Sequence, residues 1–177
     1  MTGADNQQER LIQLGWVIGF VDGEGCFSIS FVRQPNRTSR RGYKTGYQVL
    51  HQFVVTQGAG SVSCLEELQA FFDAGRLFTH ERHDNRREPL CQYIVGKRSD
   101  LVQTIIPFFH RHPLRSAKQR DFEKFARCVE LVSEGCHLTT DGLIEIAQIA
   151  ETMNRQKPRQ SLIRILRDHT PDIRAIG

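Results

Sequence analysis

The sequence predicts an α+β domain in which an antiparallel sheet packs one face against helices. Two observations lead to this fold class. Two pairs of alternating segments each read as a β-hairpin, and an apolar helical segment precedes each pair. The resulting order is αββαββα with extra C-terminal helices. A chain of 177 residues with 39% hydrophobic and 25% charged residues has the length and balance of one folded domain.

The first helix and the first hairpin come from the N-terminal third of the chain. Residues 7–20 carry apolar side chains on nearly every side, which predicts a buried helix that ends at the DGEG segment, residues 22–25. Residues 26–32 (CFSISFV) and 47–57 (YQVLHQFVVTQ) alternate apolar and polar side chains. Both are therefore expected to be strands with one buried face, joined by a basic loop.

The rest of the chain repeats this order and adds helices. A second hairpin is predicted from 76–82 and 90–96. Helices are predicted at 61–73, 98–109, 116–134 and 141–153, with a last short helix at LIRIL, 162–166. Ser99 should cap the helix at 98–109, Pro107 should end or bend it, and Thr139 or Thr140 should open the one at 141–153.

Positive charge is clustered along the chain, although the net charge is only +4. Residues 33–46 hold five basic residues and no acid, and residues 76–98 hold six basic residues against three acids. The first 25 residues hold four acids and one arginine. Basic segments around an acidic centre are compatible with binding of a polyanion together with a metal ion. A solvated protein surface would give the same numbers of charged residues.

Several classes of protein are excluded. No apolar run approaches the ~20 residues of a membrane span, so no membrane partner is predicted. The polar N-terminus lacks a signal-peptide core, and we expect a bacterial cytoplasmic or an organellar location and not secretion. The five cysteines include no C-x-x-C pair, which argues against a disulfide framework and against a zinc site.

Residues 17–25 (VIGFVDGEG) resemble the LAGLIDADG motif of homing endonucleases. Two other stretches are similar to that family: FVVTQ at 53–57, and the spaced pattern IPFF, PL, K and DF within 106–122. His137-Leu138-Thr139, Gly142-Leu143 and Met153-Asn154 resemble a common C-terminal helix of the family. The resemblance implies an endonuclease domain over 7–154, whose antiparallel sheet forms a DNA-binding saddle. Residues 155–177 form a basic tail by composition, and they resemble nothing in the family.

Two positions depart from the family motif. Ile18 stands where the motif has a small alanine, which alters how closely two such helices approach. Glu24 replaces the final aspartate, which keeps the carboxylate on a longer arm.

The resemblance also implies a reaction, the magnesium-dependent hydrolysis of DNA at a specific site, as in intron homing. Glu24 would be a catalytic residue and a metal ligand, and the Gly23 carbonyl would complete the metal shell. Gln57 would order water, and Lys118 would stabilise the developing phosphate charge, with Arg115 or Arg120 as alternatives. Carboxylate oxygens and water are the ligands that Mg²⁺ prefers, and Mn²⁺ or Ca²⁺ could occupy the same site.

One motif per chain implies a homodimer in which the 11–21 helices of two copies meet. The interface residues would be Gly15, Ile18, Gly19 and Asp22, with a mainly structural role for Asp22. Two-fold protein symmetry favours a long, nearly palindromic double-stranded DNA target, cut to leave staggered ends.

Polar side chains on the strands and their loops are the candidates for DNA contact, because Ser, Gln and Arg bind base edges and phosphates. On the first hairpin they are Ser28, Ser30, Arg33, Gln34, Arg37, Arg40, Arg41, Lys44, Gln48, Gln52 and Thr56. On the second they are Arg82, Arg86, Arg87 and Gln92.

Two other functions remain open at this point. One is a splicing maturase that binds intron RNA, and the other is a DNA-binding regulator that has lost cleavage. The acid retained at Glu24 argues against the regulator but does not separate the nuclease from the maturase.

Overall fold

The computed structural model describes residues 3–34, 45–81, 88–154 and 160–168, and its elements follow the predicted order. The first six are α1 (Gly3–Glu24), β1 (Gly25–Arg33), β2 (Tyr47–Gly58), α2 (Val62–Phe72), β3 (Arg76–His80) and β4 (Leu90–Val95). They are followed by α3 (Arg98–Asp100), α4 (Ile106–Arg111), α5 (Lys118–Ser133), α6 (Thr140–Glu151) and α7 (Gln160–Asp168). The α+β prediction is confirmed.

The four strands form one sheet in the order β1-β2-β4-β3. β4 runs antiparallel to both of its neighbours, with Val55 opposite Tyr93 and Leu77 opposite Tyr93 from the other side. Alternation along each strand separates two faces. On one face, Phe53, Val55 and Tyr93 are fully buried. The other, which we call the outer face, carries the intervening side chains.

Contacts along the chain divide it into two compact units. Residues 1–27 and 52–122 form the first, and residues 28–51 and 123–177 form the second. Aromatic rings dominate the core of the first unit. Phe27 stacks on Phe53 at a centroid distance of 5.2 Å and meets Phe109 edge-on at 5.6 Å. Burying each such ring contributes about 1.5–3 kcal/mol, so this cluster is a main stabilising element of the unit.

The core of the second unit is largely aliphatic, although it includes the fully buried Phe125. Buried side chains of α5, including Val129 and Val132, belong to it together with Leu143 and Ile146 of α6. α7 adds Ile163 and Leu166, which are both buried, at the spacing of one helix face. Thr139 caps α6 as predicted, since its side chain accepts a hydrogen bond from the Gly142 N–H at 3.2 Å.

The prediction that the first helix is buried all round is wrong for the single chain. Val17 and Val21 are fully buried, but Leu11 and Ile12 are 61% and 64% exposed. The apolar residues of α1 exceed what one side of the helix can present to the core, so the remaining ones face outward. Among the described residues, no helix is both long and apolar enough to cross a membrane.

The predicted cap of the helix at 98–109 is also wrong, and of the two alternatives for Pro107 the structure excludes an end of the helix. Lys97, and not Ser99, stands at its N-cap position, and the Ser99 hydroxyl bonds the Asp100 carboxylate at 3.0 Å. Pro107 does not end the helix, which continues to Arg111 through a π-helical turn at Leu101–Ile105. A proline lacks the N–H of the ordinary ladder and its ring crowds the carbonyl four residues earlier, and a widened turn relieves both problems.

Candidate active site

The candidate site lies where α1 passes directly into β1. Glu24 is the last residue of α1 and Gly25 the first of β1, with no intervening loop. A Cβ at Gly25 would lie 2.7 Å from the carbonyl oxygen of Val21, closer than such atoms approach. Only glycine fits this junction. The junction therefore holds the exposed Glu24 at a defined point beside the sheet.

Asp22 is bound to the segment that leads into α5. Its Oδ2 accepts hydrogen bonds from the N–H groups of Arg115 at 3.1 Å and Ser116 at 3.0 Å. Its Oδ1 accepts one from the Ser116 hydroxyl at 2.5 Å. Partial burial raises the pKa of Asp22, but these hydrogen bonds outweigh that effect and bring the pKa below its usual value. The ionised Asp22 side chain therefore links the end of α1 to the segment before α5, which lies far away in the sequence.

Lys118, at the start of α5, is hydrogen-bonded to the backbone at the end of α1. Its Nζ donates hydrogen bonds to the carbonyl oxygens of Val21 and Gly23, each at 3.0 Å. These carbonyls belong to the last turn of α1, where backbone acceptors lack helical partners and the helix dipole favours a cation. Burial lowers the pKa of Lys118, opposed by nearby negative groups that include Asp22 and Glu24. The ammonium group is therefore fixed near both carboxylates of the motif.

Gln57 lies at the end of β2, where it is paired with Cys91 of β4. Cys91 is buried, so alternation places Gln57 on the helix-covered side of the sheet and not on the outer face. It is half-buried there.

The oxygen donors at this site are of the hard type that a magnesium or calcium ion requires. One chain contributes the Glu24 carboxylate and, at Gly23, a carbonyl that accepts the Lys118 hydrogen bond. Within the described ranges, no group of three or more His, Cys, Asp or Glu side chains is placed to hold a metal ion. The donors fit a hard divalent ion in kind, but one chain supplies only part of a coordination shell.

A family model described as LAGLIDADG endonuclease matches residues 17–129, which include the C-terminal end of α1, all four strands and most of α5. The chain belongs to the LAGLIDADG endonuclease family. A relative from Neurospora crassa, named probable intron-encoded endonuclease 2, is 29% identical over 138 residues, covering 78% of this chain and 26% of that protein. Mycosarcoma maydis has a probable intron-encoded DNA endonuclease 1 that is 26% identical over 59% of this chain and 32% of its own length.

Solved structures of LAGLIDADG proteins have the same fold. The homing endonuclease I-TnaI is 37% identical with a TM-score of 0.70, over 88% of this chain and 95% of that chain. The LAGLIDADG homing endonuclease I-LtrWI, bound to target DNA, is 32% identical with a TM-score of 0.71, over 84% of this chain and 47% of its own. The chain spans about a quarter of the length of the first curated relatives that it matches.

The LAGLIDADG helix of this chain exposes its small residues. Gly15 and Gly19 are exposed, and a Cβ built on either would meet nothing within 4 Å. Ile18 is half-buried, as is Asp22. Packing within the described part of the chain therefore gives no reason for glycine at these two positions, where alanine would favour the helix by about 1 kcal/mol.

Part of the predicted DNA-contact set lies in the second unit. Ser28 is half-buried and Ser30 exposed, both on the outer face of β1, and Arg33 is exposed at the end of that strand. The Gln34 amide donates a hydrogen bond to the Gln48 side chain at 3.0 Å.

Another part of the set lies in the first unit. Gln52, Thr56 and Gln92 are half-buried on the outer face, where Thr56 pairs with Gln92. The Gln92 amide donates a hydrogen bond to the Thr56 hydroxyl at 3.1 Å. The other predicted contacts fall outside the described residues: Arg37, Arg40, Arg41, Lys44, Arg82, Arg86 and Arg87.

Two groups of residues were not predicted from the sequence. The first is Arg115 and Ser116, which bind Asp22, because no local pattern links residues more than 90 positions apart. The second is on the outer face of β3, where Arg76, Phe78 and His80 are exposed. Strict alternation around Leu77 in the segment RLFTH could have identified the second group.

Proposed function

We propose that this protein is a site-specific DNA endonuclease of the intron-homing type. The observation that carries the proposal is the end of α1, where an exposed carboxylate and a lysine ammonium group are fixed at one turn. Phosphodiester hydrolysis needs both kinds of group. The carboxylate suits a metal ligand, and the cation suits the charge that develops on the phosphate.

Each residue of the site has a defined role in this proposal. Glu24 and the Gly23 carbonyl would hold a divalent ion, magnesium in the cell, which supplies an activated water and neutralises phosphate charge. Lys118 stabilises the charged phosphate oxygens, and Gln57 orders water near the cleaved bond. Asp22 holds the turn in place through Ser116 and Arg115. Arg115 and Arg120 remain the alternatives to Lys118 as the basic group.

The active protein is, in this proposal, a homodimer built on α1. The exposed Gly15 and Gly19 support this, because a second helix can approach closely only where side chains are small. The exposed Leu11 and Ile12 would be covered as well. Dimerisation would bring two copies of Glu24 together and complete the metal shell that one chain leaves partial.

Replacing Gly19 with leucine tests the dimer. The wild-type protein should sediment as a dimer, free or on its DNA target, and Gly19→Leu as a monomer with an intact fold. Ala70→Leu, an exposed helical position on α2, is the matched control and should leave the dimer unchanged. One protein copy per cognate DNA site in the wild type would contradict the two-fold active site.

The partner is a long, nearly palindromic DNA duplex, cut on both strands to leave staggered ends. The outer face of the sheet, rich in Gln, Ser and Arg, would lie along the major groove. The names of relatives from Neurospora crassa and Podospora anserina place their genes in introns, which favours an organellar location for this protein.

A cleavage selection tests the function directly. The purified protein would be incubated with a randomised duplex library in magnesium, in calcium or in EDTA, and the cut ends sequenced. We expect ends that share a two-fold motif and that appear with magnesium only. Binding of a motif without cutting in magnesium would instead indicate a regulator. A protein that binds intron RNA but neither cuts nor binds DNA would indicate a maturase.

A further inference from the structure

Phe78 is placed unusually for an aromatic residue. It lies on the outer face of β3 and is 43% exposed, while other phenylalanines of the first unit, such as Phe27 and Phe53, are fully buried. Its backbone partner across β4 is the polar Gln92. Core packing therefore does not account for a large apolar side chain at this position.

Phe78 belongs to an apolar band that crosses three strands. Ile94 pairs with Arg76 on one side and Val54 on the other, so Phe78 and Ile94 are diagonal neighbours on β3 and β4. Diagonal neighbours are within reach when one side chain is aromatic. Val54 and Ile94 are half-buried. The band is narrow, and polar outer-face residues flank it on both sides.

Phe78 and Ile94 of this band line a groove of about 630 Å³ on the outer face of the first unit. Gln52 and Gln92 line this groove together with Phe78 and Ile94. Its charged lining residues include Arg76 and Lys97, and the acid among them, Asp100, forms an ion pair with Lys97 at 3.2 Å. The charge of the groove therefore favours an anionic occupant, and the glutamines favour one that offers hydrogen-bonding edges.

Among the groups that DNA presents in its major groove, the 5-methyl of thymine is the apolar one. We infer that Phe78 and Ile94 form a thymine-methyl contact that sets part of the target sequence, with Gln92 and Gln52 binding neighbouring base edges. This inference rests on the proposed function and deepens it. It assigns the base specificity of one position in each half-site to an apolar contact.

Deoxyuridine tests the contact because it removes only the methyl group. The target recovered by the cleavage selection would be resynthesised with each thymine replaced singly by deoxyuridine, and binding measured in calcium. Burial of one methyl group predicts binding about fourfold weaker at one position of each half-site. Equal binding of all the deoxyuridine duplexes would overturn the inference and leave the nuclease intact. Failure of the selection to recover any duplex would overturn both.

Substitution of Phe78 links the effect to this residue. In Phe78→Ala the preference for thymine over deoxyuridine at the sensitive position should fall to about one, and in Phe78→Leu it should persist. Val102→Ala is the matched control, since Val102 is 44% exposed on another element of the same unit. A preference that survives in Phe78→Ala would overturn the assignment. If the preference survives and Phe78→Ala also changes the oligomeric state, a second copy of the chain covers the band instead of DNA.

Discussion

The end of α1 and the outer face of the β3–β4 hairpin differ in how their side chains are held. At the end of α1, Asp22 and Lys118 each have several hydrogen-bond partners within the chain. On the outer face, Arg76, Phe78 and His80 stand exposed. A group that takes part in chemistry gains from being held in position before the substrate arrives, because no reorganisation is then needed during the reaction.

The outer face has a different requirement. A surface that reads a base sequence can change its side chains without changing the reaction, provided that the strands below them keep their register. Here the register is held by the buried face, where Tyr93 and Val55 have no exposed surface. Under the proposed function, the difference makes reactivity and specificity separable, and substitutions in the two regions should have separable effects.

The largest effect is expected from Glu24→Gln. The amide keeps the size of the side chain but loses the charge that a divalent ion requires, so cleavage should fall by about 100-fold or more. Specific binding in calcium should persist, measured by gel shift on the selected target. Cleavage near the wild-type rate would remove Glu24 from the metal site.

Lys118→Met should lower single-turnover cleavage by about 10²–10³-fold, because a preorganised charge at the phosphate is lost. It should also cost about 1 kcal/mol of stability, measured by urea unfolding, since two carbonyls of α1 lose their donor. Lys124→Met is the matched control, because Lys124 donates a similar hydrogen bond, to the Thr152 carbonyl at 2.9 Å. A similar loss of cleavage in both variants would show that Lys118 acts through stability alone.

Asp22→Asn should destabilise the fold by about 1–2 kcal/mol at neutral pH, because an ionised acceptor of backbone N–H groups is lost. The pKa of Asp22 is lowered in the folded state, so its contribution is present above the pKa of the unfolded chain. It is lost as the pH falls through the folded pKa. Urea unfolding from pH 7 to pH 3 should show the difference from wild type shrinking in acid. A constant difference would contradict this assignment.

Thr56→Val should have the smallest effect. Thr56 accepts a hydrogen bond from Gln92 on the outer face, and its loss should change unfolding stability by less than about 1 kcal/mol. Cleavage of the selected target should stay within a few-fold of wild type, while a repeated selection should return altered base preferences. A loss of activity on every sequence would break the proposed separation between the two regions.

Most of the fold could be predicted because it depends on local patterns. Alternation in CFSISFV and YQVLHQFVVTQ located β1 and β2, and DGEG marked the end of α1 to within a few residues. The π-helical turn before Pro107 was not predictable, since no sequence period distinguishes it from an ordinary helix. The partial exposure of α1 was missed because composition does not say which apolar face meets the core.

The residues of the candidate site could be proposed from the sequence, but not the contacts between them. Glu24 and Lys118 became candidates through two separate motifs. The bonds from Lys118 to the Val21 and Gly23 carbonyls depend on tertiary structure that no local pattern encodes. The role of Ser116 as a partner of Asp22 was missed for the same reason.

The separation of Asp22 and Gly23 from Ser116 and Lys118 has a consequence for how the protein is made. The two segments lie more than 90 residues apart in the chain, so the hydrogen bonds between them close a long loop. A ribosome adds about 5–20 residues per second, and several seconds pass between synthesis of the first segment and the second. A nascent or truncated product that stops before residue 115 carries the LAGLIDADG motif but lacks these partners. Premature termination would therefore release a chain in which the Asp22 carboxylate is not yet held by Arg115 and Ser116.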